Sequence, residues 1–170
     1  RPQRHPGLRG CGEAGLRVHR QLDPGPGHQD PGADGAGGAG EKGSGVERDQ
    51  EMNFRKVYER WLEKATADAD VIAELKGMDD KKIEDAFYRD LAFGTGGLRG
   101  VIGAGTNRMN IYTVAKASQG LADYLQKKAT APSVVIGYDS RIKSDIFAKV
   151  AAGVFAANGI KVNIWPALMP

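Results

Sequence analysis

The chain is short of the residues on which metal sites and nucleophilic triads most often depend. It has one cysteine, Cys11, and three histidines, of which His28 is the last. Disulfide frameworks and cysteine-rich metal sites are therefore excluded, and residues 29–170 cannot supply the histidine of a Ser-His-Asp triad. No apolar run approaches the length of a bilayer span, and no apolar stretch near the start is typical of a secretory signal. We therefore expect a cytoplasmic protein without a membrane partner.

Aromatic residues are missing from the first 51 positions, which hold 13 of the 24 glycines and five of the eight prolines. Such a composition cannot bury enough apolar surface to offset the entropy cost of ordering. We predict that residues 1–51 are a disordered extension, either a functional tail or translated upstream DNA with Met52 as the true start. The rest divides into a helical segment, residues 52–92, and an α/β domain, residues 93–170.

An excess of negative charge is also lacking, since the formal net charge is +3. The positive excess is mild, and basic residues are interspersed with acidic ones. This balance suits an anionic metabolite and does not indicate a nucleic-acid partner.

Helical periodicity predicts three helices ahead of residue 93. Apolar residues from Phe54 to Ala65 recur at helical spacing and predict an amphipathic helix that begins after Asn53. We expect Asp70 to cap a short second helix that ends near Gly77. A third helix is predicted to start at Asp79 and Asp80, with an apolar stripe made of Ile83, Phe87, Tyr88, Leu91 and Ala92.

The pattern beyond residue 110 predicts a βαβ unit. A helix is expected over about 111–128, and the apolar run at 133–137 is typical of a strand buried on both faces. Ser144 can cap a helix that runs to Asn158, with Gly159 as its stop. A second strand is predicted over 160–165. Two strands joined through a helix by short connections predict a parallel sheet, and hence an α/β fold.

Residues 93–100 (FGTGGLRG) form the most informative stretch of the chain. Glycine lets backbone N–H groups approach a ligand, and successive N–H groups can form a concavity that binds anions. An arginine adds bidentate recognition of phosphate. The pattern favours a phosphate site made of Thr95, Gly96, Gly97 and Arg99. The alternative is a tight surface turn with a solvated arginine.

A second candidate site follows the first predicted strand. Ligands of open α/β sheets bind beyond the carboxyl ends of the strands, where Asp139, Ser140 and Arg141 are expected. Asp139 and Arg141 could contact a ligand directly, or they could form an ion pair that braces the turn. The two roles are compatible if the pair holds the glycine loop in place.

Four blocks of this sequence resemble the α-D-phosphohexomutase superfamily, in the branch of phosphoglucomutases and phosphomannomutases that includes phosphopentomutase-like enzymes. They are residues 92–100 (AFGTGGLRG), 105–110 (GTNRMN), 119–121 (QGL) and 135–141 (VIGYDSR). The resemblance implies that residues 93–170 are an incomplete first domain of a four-domain enzyme. One departure is Gly97, where relatives often carry serine or alanine, which removes a possible hydroxyl contact.

The resemblance also implies the chemistry. Superfamily members interconvert sugar 1-phosphates and 6-phosphates through a phosphoserine, a sugar bisphosphate such as glucose 1,6-bisphosphate, and Mg²⁺. The serine loop of the type Thr-Ala-Ser-His-Asn-Pro and the metal loop are not in this sequence, so we expect an inactive N-terminal fragment. By position, Arg99 matches the arginine facing the transferred phosphate, and Thr95, Gly96 and Gly97 match the surrounding loop.

Arg108, Asp139 and Arg141 match supporting positions. We expect glucose phosphate as the substrate, with mannose or pentose phosphate as alternatives. A stand-alone phosphate-binding or regulatory module without turnover is the competing hypothesis.

Overall fold

Three helices open the part of the chain that the computed structural model describes, which is the backbone of residues 43–169 and the side chains of residues 53–169. They are α1 (Gly43–Lys64), α2 (Ala69–Lys76) and α3 (Asp80–Phe87). The predicted disordered extension lies outside the described residues as far as residue 42, and residues 43–51 belong to α1. The predicted start of this helix after Asn53 was therefore wrong, since regular helix begins at Gly43.

The two short helices have acidic N-caps. The predicted start of α3 at Asp79 and Asp80 is confirmed: Asp79 is its N-cap, and the Asp79 carboxylate accepts a hydrogen bond from the backbone N–H of Lys82 at 2.9 Å. Asp68 caps α2, where the sequence predicted Asp70. Its carboxylate accepts from the N–H groups of Asp70 and Val71, so Asp70 is already a residue of the first turn.

An aromatic core joins these helices to the rest of the molecule. Trp61 makes edge-to-face contacts with Phe87 and Tyr112, with ring centroids 5.5 and 5.2 Å apart, and Tyr58 packs on Phe87 in the same way. The predicted apolar stripe of α3 is confirmed at Ile83 and Phe87, which are buried. Tyr88 departs from it, since this residue ends the helix and half of its surface is exposed.

The predicted α/β fold with a parallel sheet is confirmed. A small hairpin, β1 (Phe93–Gly94) and β2 (Gly97–Leu98), precedes the helix α4 (Ile111–Lys128). The strands β3 (Ser133–Ile136) and β4 (Lys161–Ile164) then pair in parallel on either side of the helix α5 (Ser144–Ala157).

One face of this sheet packs on the helices. Val134, Ile136 and Val162 contact the cluster that contains Ala122 of α4 and Phe155 of α5. Val135, which points to the other face, is 69% exposed. The expectation of a strand buried on both faces was therefore wrong, because both α4 and α5 lie on the same side of the sheet.

The helices α4 and α5 are joined at one end by a reciprocal amide pair. Nδ2 of Asn158 donates to Oε1 of Gln119 at 2.9 Å, and Nε2 of Gln119 donates back to Oδ1 of Asn158 at 3.1 Å. Asn158 also donates to the carbonyl of Val154, and Gln126 donates to the carbonyl of Asn158. Asn158 is the C-cap of α5, so this pair fixes the end of one helix against the side of the other.

The start of α5 differs from the prediction. Ser144 is its first helical residue, and the capping position belongs to Lys143, which makes no side-chain cap. The Ser144 hydroxyl accepts a hydrogen bond from the backbone N–H of Asp139 instead. None of the helices in the described part of the chain combines the length and apolar character needed to cross a membrane.

Candidate functional site

The glycine loop forms a tight β-hairpin. Phe93 pairs with Leu98 and Gly94 with Gly97 in antiparallel register, so Thr95 and Gly96 are the two residues at the tip. Gly97 has a φ of +99°, a conformation that L side chains rarely adopt. Glycine at this position is therefore required by the backbone of this hairpin.

The Arg99 guanidinium folds back over the tip. A Cβ atom on Gly96 would lie 2.5 Å from Nη2 of Arg99 and 3.0 Å from its Cζ. The missing side chain of Gly96 thus provides the space that the guanidinium occupies. A permanent positive charge lies beside the exposed backbone of the loop, which is the arrangement that phosphate recognition needs.

The residues on either side of the hairpin are hydrogen-bonded to the segment that follows it, residues 103–109. The N–H of Leu91 donates to the carbonyl of Thr106 at 2.9 Å, and the Thr106 hydroxyl donates to the carbonyl of Arg89 at 2.7 Å. On the other side, the N–H of Met109 donates to the carbonyl of Val101 at 2.8 Å. These bonds hold the base of the hairpin while its tip projects.

Asn110 organises that segment. Its side-chain amide donates to the carbonyls of Gly103 and Gly105 at 2.8 and 2.9 Å. Its carbonyl oxygen accepts from the N–H groups of Tyr112 and Thr113, which caps α4. Asn110 is 3% exposed, and its bonds to the Gly105 carbonyl and to the Tyr112 N–H are buried. The sequence offered a signal for this residue, an asparagine directly before a helical pattern.

Arg108 is engaged by α3. Its guanidinium forms an ion pair with the Asp85 carboxylate and donates to the carbonyls of Asp85 and Asn107. The side chain is 17% exposed. Arg108 thus fastens the segment after the hairpin to the end of α3, and the partner that fixes it, Asp85, was missed in the sequence analysis.

The turn after β3 contains the ion pair between Asp139 and Arg141, which was one of the two roles expected for these residues. Nε of Arg141 lies 3.1 Å from Oδ2 of Asp139, and the backbone N–H of Arg141 donates to Oδ1 of the same carboxylate. That backbone hydrogen bond is the main cause that lowers the pKa of Asp139 below its ordinary value. The Arg141 side chain is 87% exposed, so most of its guanidinium faces solvent.

The structure therefore brings the predicted residues together in three separate groups. Gly96 and Arg99 meet at the hairpin tip, Arg108 is bound to α3, and Asp139 pairs with Arg141. Among the described residues, no hydrogen bond or ion pair joins the hairpin to the turn after β3. The binding roles of these residues remain predictions.

Comparison with known proteins identifies the family. Residues 90–170 match the family described as phosphoglucomutase/phosphomannomutase, alpha/beta/alpha domain I. This segment belongs to the phosphohexomutase superfamily. The matched segment contains the hairpin, the residues hydrogen-bonded to Asn110 and the βαβ unit.

Curated relatives agree with this assignment. A phosphoglucomutase of Staphylococcus haemolyticus is 44% identical over 81 residues, covering 48% of this chain and 15% of that protein. A phosphoglucomutase of Staphylococcus aureus is 38% identical over 106 residues, covering 62% and 19%. A probable phosphoribomutase of Schizosaccharomyces pombe is 37% identical over 124 residues, covering 68% and 21%. The chain thus spans about a fifth or less of these relatives, and no solved structure matches it.

Proposed function

We propose that the hairpin of residues 93–100 binds the phosphate group of a sugar phosphate. The observation that supports the proposal is the position of the Arg99 guanidinium over Gly96. The guanidinium can offer two parallel N–H donors to two phosphate oxygens. Since the hairpin base is fixed by hydrogen bonds, little ordering of the backbone is needed when the ligand binds.

We further propose that this chain contributes the site to an enzyme of the phosphoglucomutase type, which interconverts hexose 1-phosphate and hexose 6-phosphate through a phosphoserine and a sugar bisphosphate. The domain match and the two staphylococcal phosphoglucomutases support this reaction. In it, Arg99 would bind the transferred phosphate and stabilise the charge on its oxygens. Fixed positive groups of this kind account for much of the catalysis of phosphoryl transfer.

Mg²⁺ and glucose 1,6-bisphosphate belong to the same proposal. When bound, Mg²⁺ would polarise the phosphoryl group that is transferred. Within the described residues no group of three or more His, Cys, Asp or Glu side chains could hold a metal ion. We therefore assign no ligand of the ion to this part of the chain.

A pentose phosphate is the second candidate substrate. The observation in its favour is the probable phosphoribomutase of Schizosaccharomyces pombe, whose match covers 68% of this chain. Parallel titrations with glucose 1-phosphate and ribose 1-phosphate separate the two substrates. We expect the glucose ester to bind the more tightly, and a preference for the ribose ester would reverse the assignment.

Phosphate binding is tested by NMR titration of the 170-residue chain with inorganic phosphate and glucose 1-phosphate. Hydrogen bonds to charged groups contribute about 1.5–3 kcal/mol, so Arg99→Ala should weaken binding about tenfold to hundredfold. Arg99→Lys should restore only part of the affinity, because a point charge cannot form the bidentate contact.

The matched control is Arg55→Ala, which removes the same charge from α1, where Arg55 pairs with Asp80 at 3.2 Å. We expect this variant to bind like the wild type. Equal affinity of the wild type and Arg99→Ala, within twofold, would contradict the proposed site.

Turnover is a separate test. The printed sequence contains no Ser-His-Asn-Pro stretch, so we expect the 170-residue chain alone not to convert glucose 1-phosphate. A longer chain that carries such a loop should be active and should require Mg²⁺. Conversion by the 170-residue chain, purified free of host mutase, would contradict the proposed phosphoserine route.

A further inference from the structure

Lys143 has a strained backbone. With φ 62° and ψ 6°, it is the one non-glycine residue with a positive φ in the described part of the chain. The left-handed region is unfavourable for a lysine, whose Cβ crowds the following carbonyl. Such strain persists only where surrounding contacts hold it, and it is concentrated at functional sites.

The Lys143 side chain is anchored at a distant point of the chain. Its Nζ lies 2.9 Å from Oδ2 of Asp70 and 3.6 Å from Oδ2 of Asp68. Lys143 and Asp68 are largely shielded from solvent, with side chains 20% and 15% exposed. The hydrogen bond to Asp70 is the main cause that raises the pKa of Lys143 above its ordinary value. We call Asp68, Asp70 and Lys143 the α2–α5 ion cluster.

The strained residue lies in the turn that carries Arg141. Three hydrogen bonds close this turn: Asp139 N–H to Ser144 Oγ, Arg141 N–H to Asp139 Oδ1, and Ser144 N–H to Arg141 O. The turn follows the carboxyl end of β3, where parallel α/β sheets bind their ligands. The Lys143 side chain contacts Asp68 and Asp70 at the N-terminus of α2.

We propose that Lys143 is a positioning residue, whose ion pairs with Asp68 and Asp70 hold the turn of residues 139–144 in the conformation that presents the Arg141 guanidinium to a phosphate group of the ligand. The inference rests on the proposed function for the identity of the ligand. The positioning itself is independent of it, because it depends only on contacts among Lys143, Asp68, Asp70 and the residues of the turn.

Hydrogen exchange tests the positioning without ligand. Lys143→Met keeps most of the aliphatic side chain and removes the charge. We expect the amides of Asp139, Arg141 and Ser144 to exchange about threefold to tenfold faster than in the wild type, because the variant loses a partly shielded ion pair. The amide of Trp165, which donates to the carbonyl of Ile136 in the sheet, should be unaffected.

Further variants separate the ion pair from the backbone. Lys143→Gly also loses the ion pair but adopts a positive φ without strain, so its exchange rates should lie between those of the wild type and Lys143→Met. Asp68→Asn keeps the cap of α2 and should speed the same amides. Asp79→Asn, the matched change at the cap of α3, should leave them unchanged. Wild-type exchange rates in Lys143→Met would overturn the inference.

Inorganic phosphate is the probe for the ligand, with the Nε–Hε signal of Arg141 followed by NMR. We expect the wild-type signal to shift on titration and Lys143→Met to bind phosphate about threefold to tenfold more weakly. Equal affinity of both proteins would overturn the inference and leave phosphate binding at Arg99 intact. No shift of either the Arg141 or the Arg99 signal would overturn the proposed function, and with it the ligand assigned to this turn.

Discussion

At the scale of single residues, the Asn110 side chain both caps α4 and donates to the carbonyls of Gly103 and Gly105. Asn110→Ala should lower the free energy of unfolding by about 2–4 kcal/mol, because it removes a helix cap and leaves the carbonyls of Gly103 and Gly105 without their side-chain donor. Asp79→Ala, which removes an exposed cap alone, should cost about 1 kcal/mol. Urea unfolding of the two variants measures the difference, and equal losses would contradict the central role of Asn110.

Tyr112 makes a partly buried hydrogen bond between distant parts of the chain. Its hydroxyl accepts a hydrogen bond from the backbone N–H of Ala67 at 2.9 Å. Tyr112→Phe should cost about 1–3 kcal/mol, since that N–H loses its partner. Tyr58→Phe should cost less, because the Tyr58 hydroxyl donates to the carbonyl of Leu75, which also accepts a bond from Met78. Chemical denaturation at neutral pH compares the two, and a larger loss for Tyr58→Phe would contradict this account.

The ionisation of Tyr112 gives a matching pH dependence. Burial raises the pKa of Tyr112 above its ordinary value of 10.0. Because the folded pKa is the higher one, this contribution to stability is complete below the unfolded pKa and is lost as the pH rises through the folded pKa. Stability measured from neutral pH upward should therefore fall beyond pH 10.0. Tyr112→Phe should fall less steeply over the same range, and an unchanged slope would contradict the assignment to this hydroxyl.

At the scale of secondary structure, the segment after the hairpin is docked on the end of α3 through a glycine. Gly105 has a φ of +124°, and a Cβ atom there would lie 2.5 Å from the carbonyl oxygen of Ala86. Gly105→Ala should cost about 2–5 kcal/mol through strain and overlap.

Gly120 provides the matched control for that substitution. It lies in α4 with nothing within 4 Å of its added Cβ, so Gly120→Ala should stabilise the protein by about 0.5–1 kcal/mol. Thermal unfolding reports both changes. Destabilisation by Gly120→Ala, or tolerance of Gly105→Ala, would contradict the packing described here.

The sequence predicted the bounds of an element correctly where those bounds are set by neighbouring residues, and not where they are set by contacts with distant parts of the chain. The bounds of α4 were predicted correctly, because its periodicity and its basic last turn are local signals. The start of α5 was not, because Lys143 takes the capping position only through acidic partners more than 70 residues away. The exposed face of β3 was also missed, since an apolar run does not reveal on which side of the sheet the helices lie.

The sequence predicted which residues form the candidate site, but not how those residues are arranged. Glycine content and one arginine indicated the loop, but the contact of Arg99 with Gly96 follows from a hairpin register that no periodicity encodes. Arg108 was placed in the site by resemblance, and its partner Asp85 lies 23 residues earlier on another element. Bonds between segments far apart in sequence are therefore what sequence reasoning could not supply.

At the scale of the whole molecule, the helical segment and the α/β unit share one core. Trp61, Phe87, Tyr112 and Val154, from four different helices, lie in the same buried cluster. We therefore expect the two parts to unfold together. The chain has two tryptophans, so Trp165→Phe leaves Trp61 as a probe of the helices, and Trp61→Phe leaves Trp165 as a probe of the sheet. In each variant the fluorescence and far-UV circular dichroism midpoints should coincide, and separate midpoints would show independent units.

The amide pair between α4 and α5 also bears on the chemical ageing of the protein. Asn158 precedes Gly159, and an asparagine before a glycine deamidates readily when the glycine nitrogen can attack the side-chain amide. Here that nitrogen donates to the carbonyl of Ala156, while the amide of Asn158 is bonded to Gln119 and Val154. The reaction therefore needs the end of α5 to open. Deamidation at this position, read by peptide mass analysis of stored samples, should act as a cumulative record of the time that each molecule has spent locally unfolded.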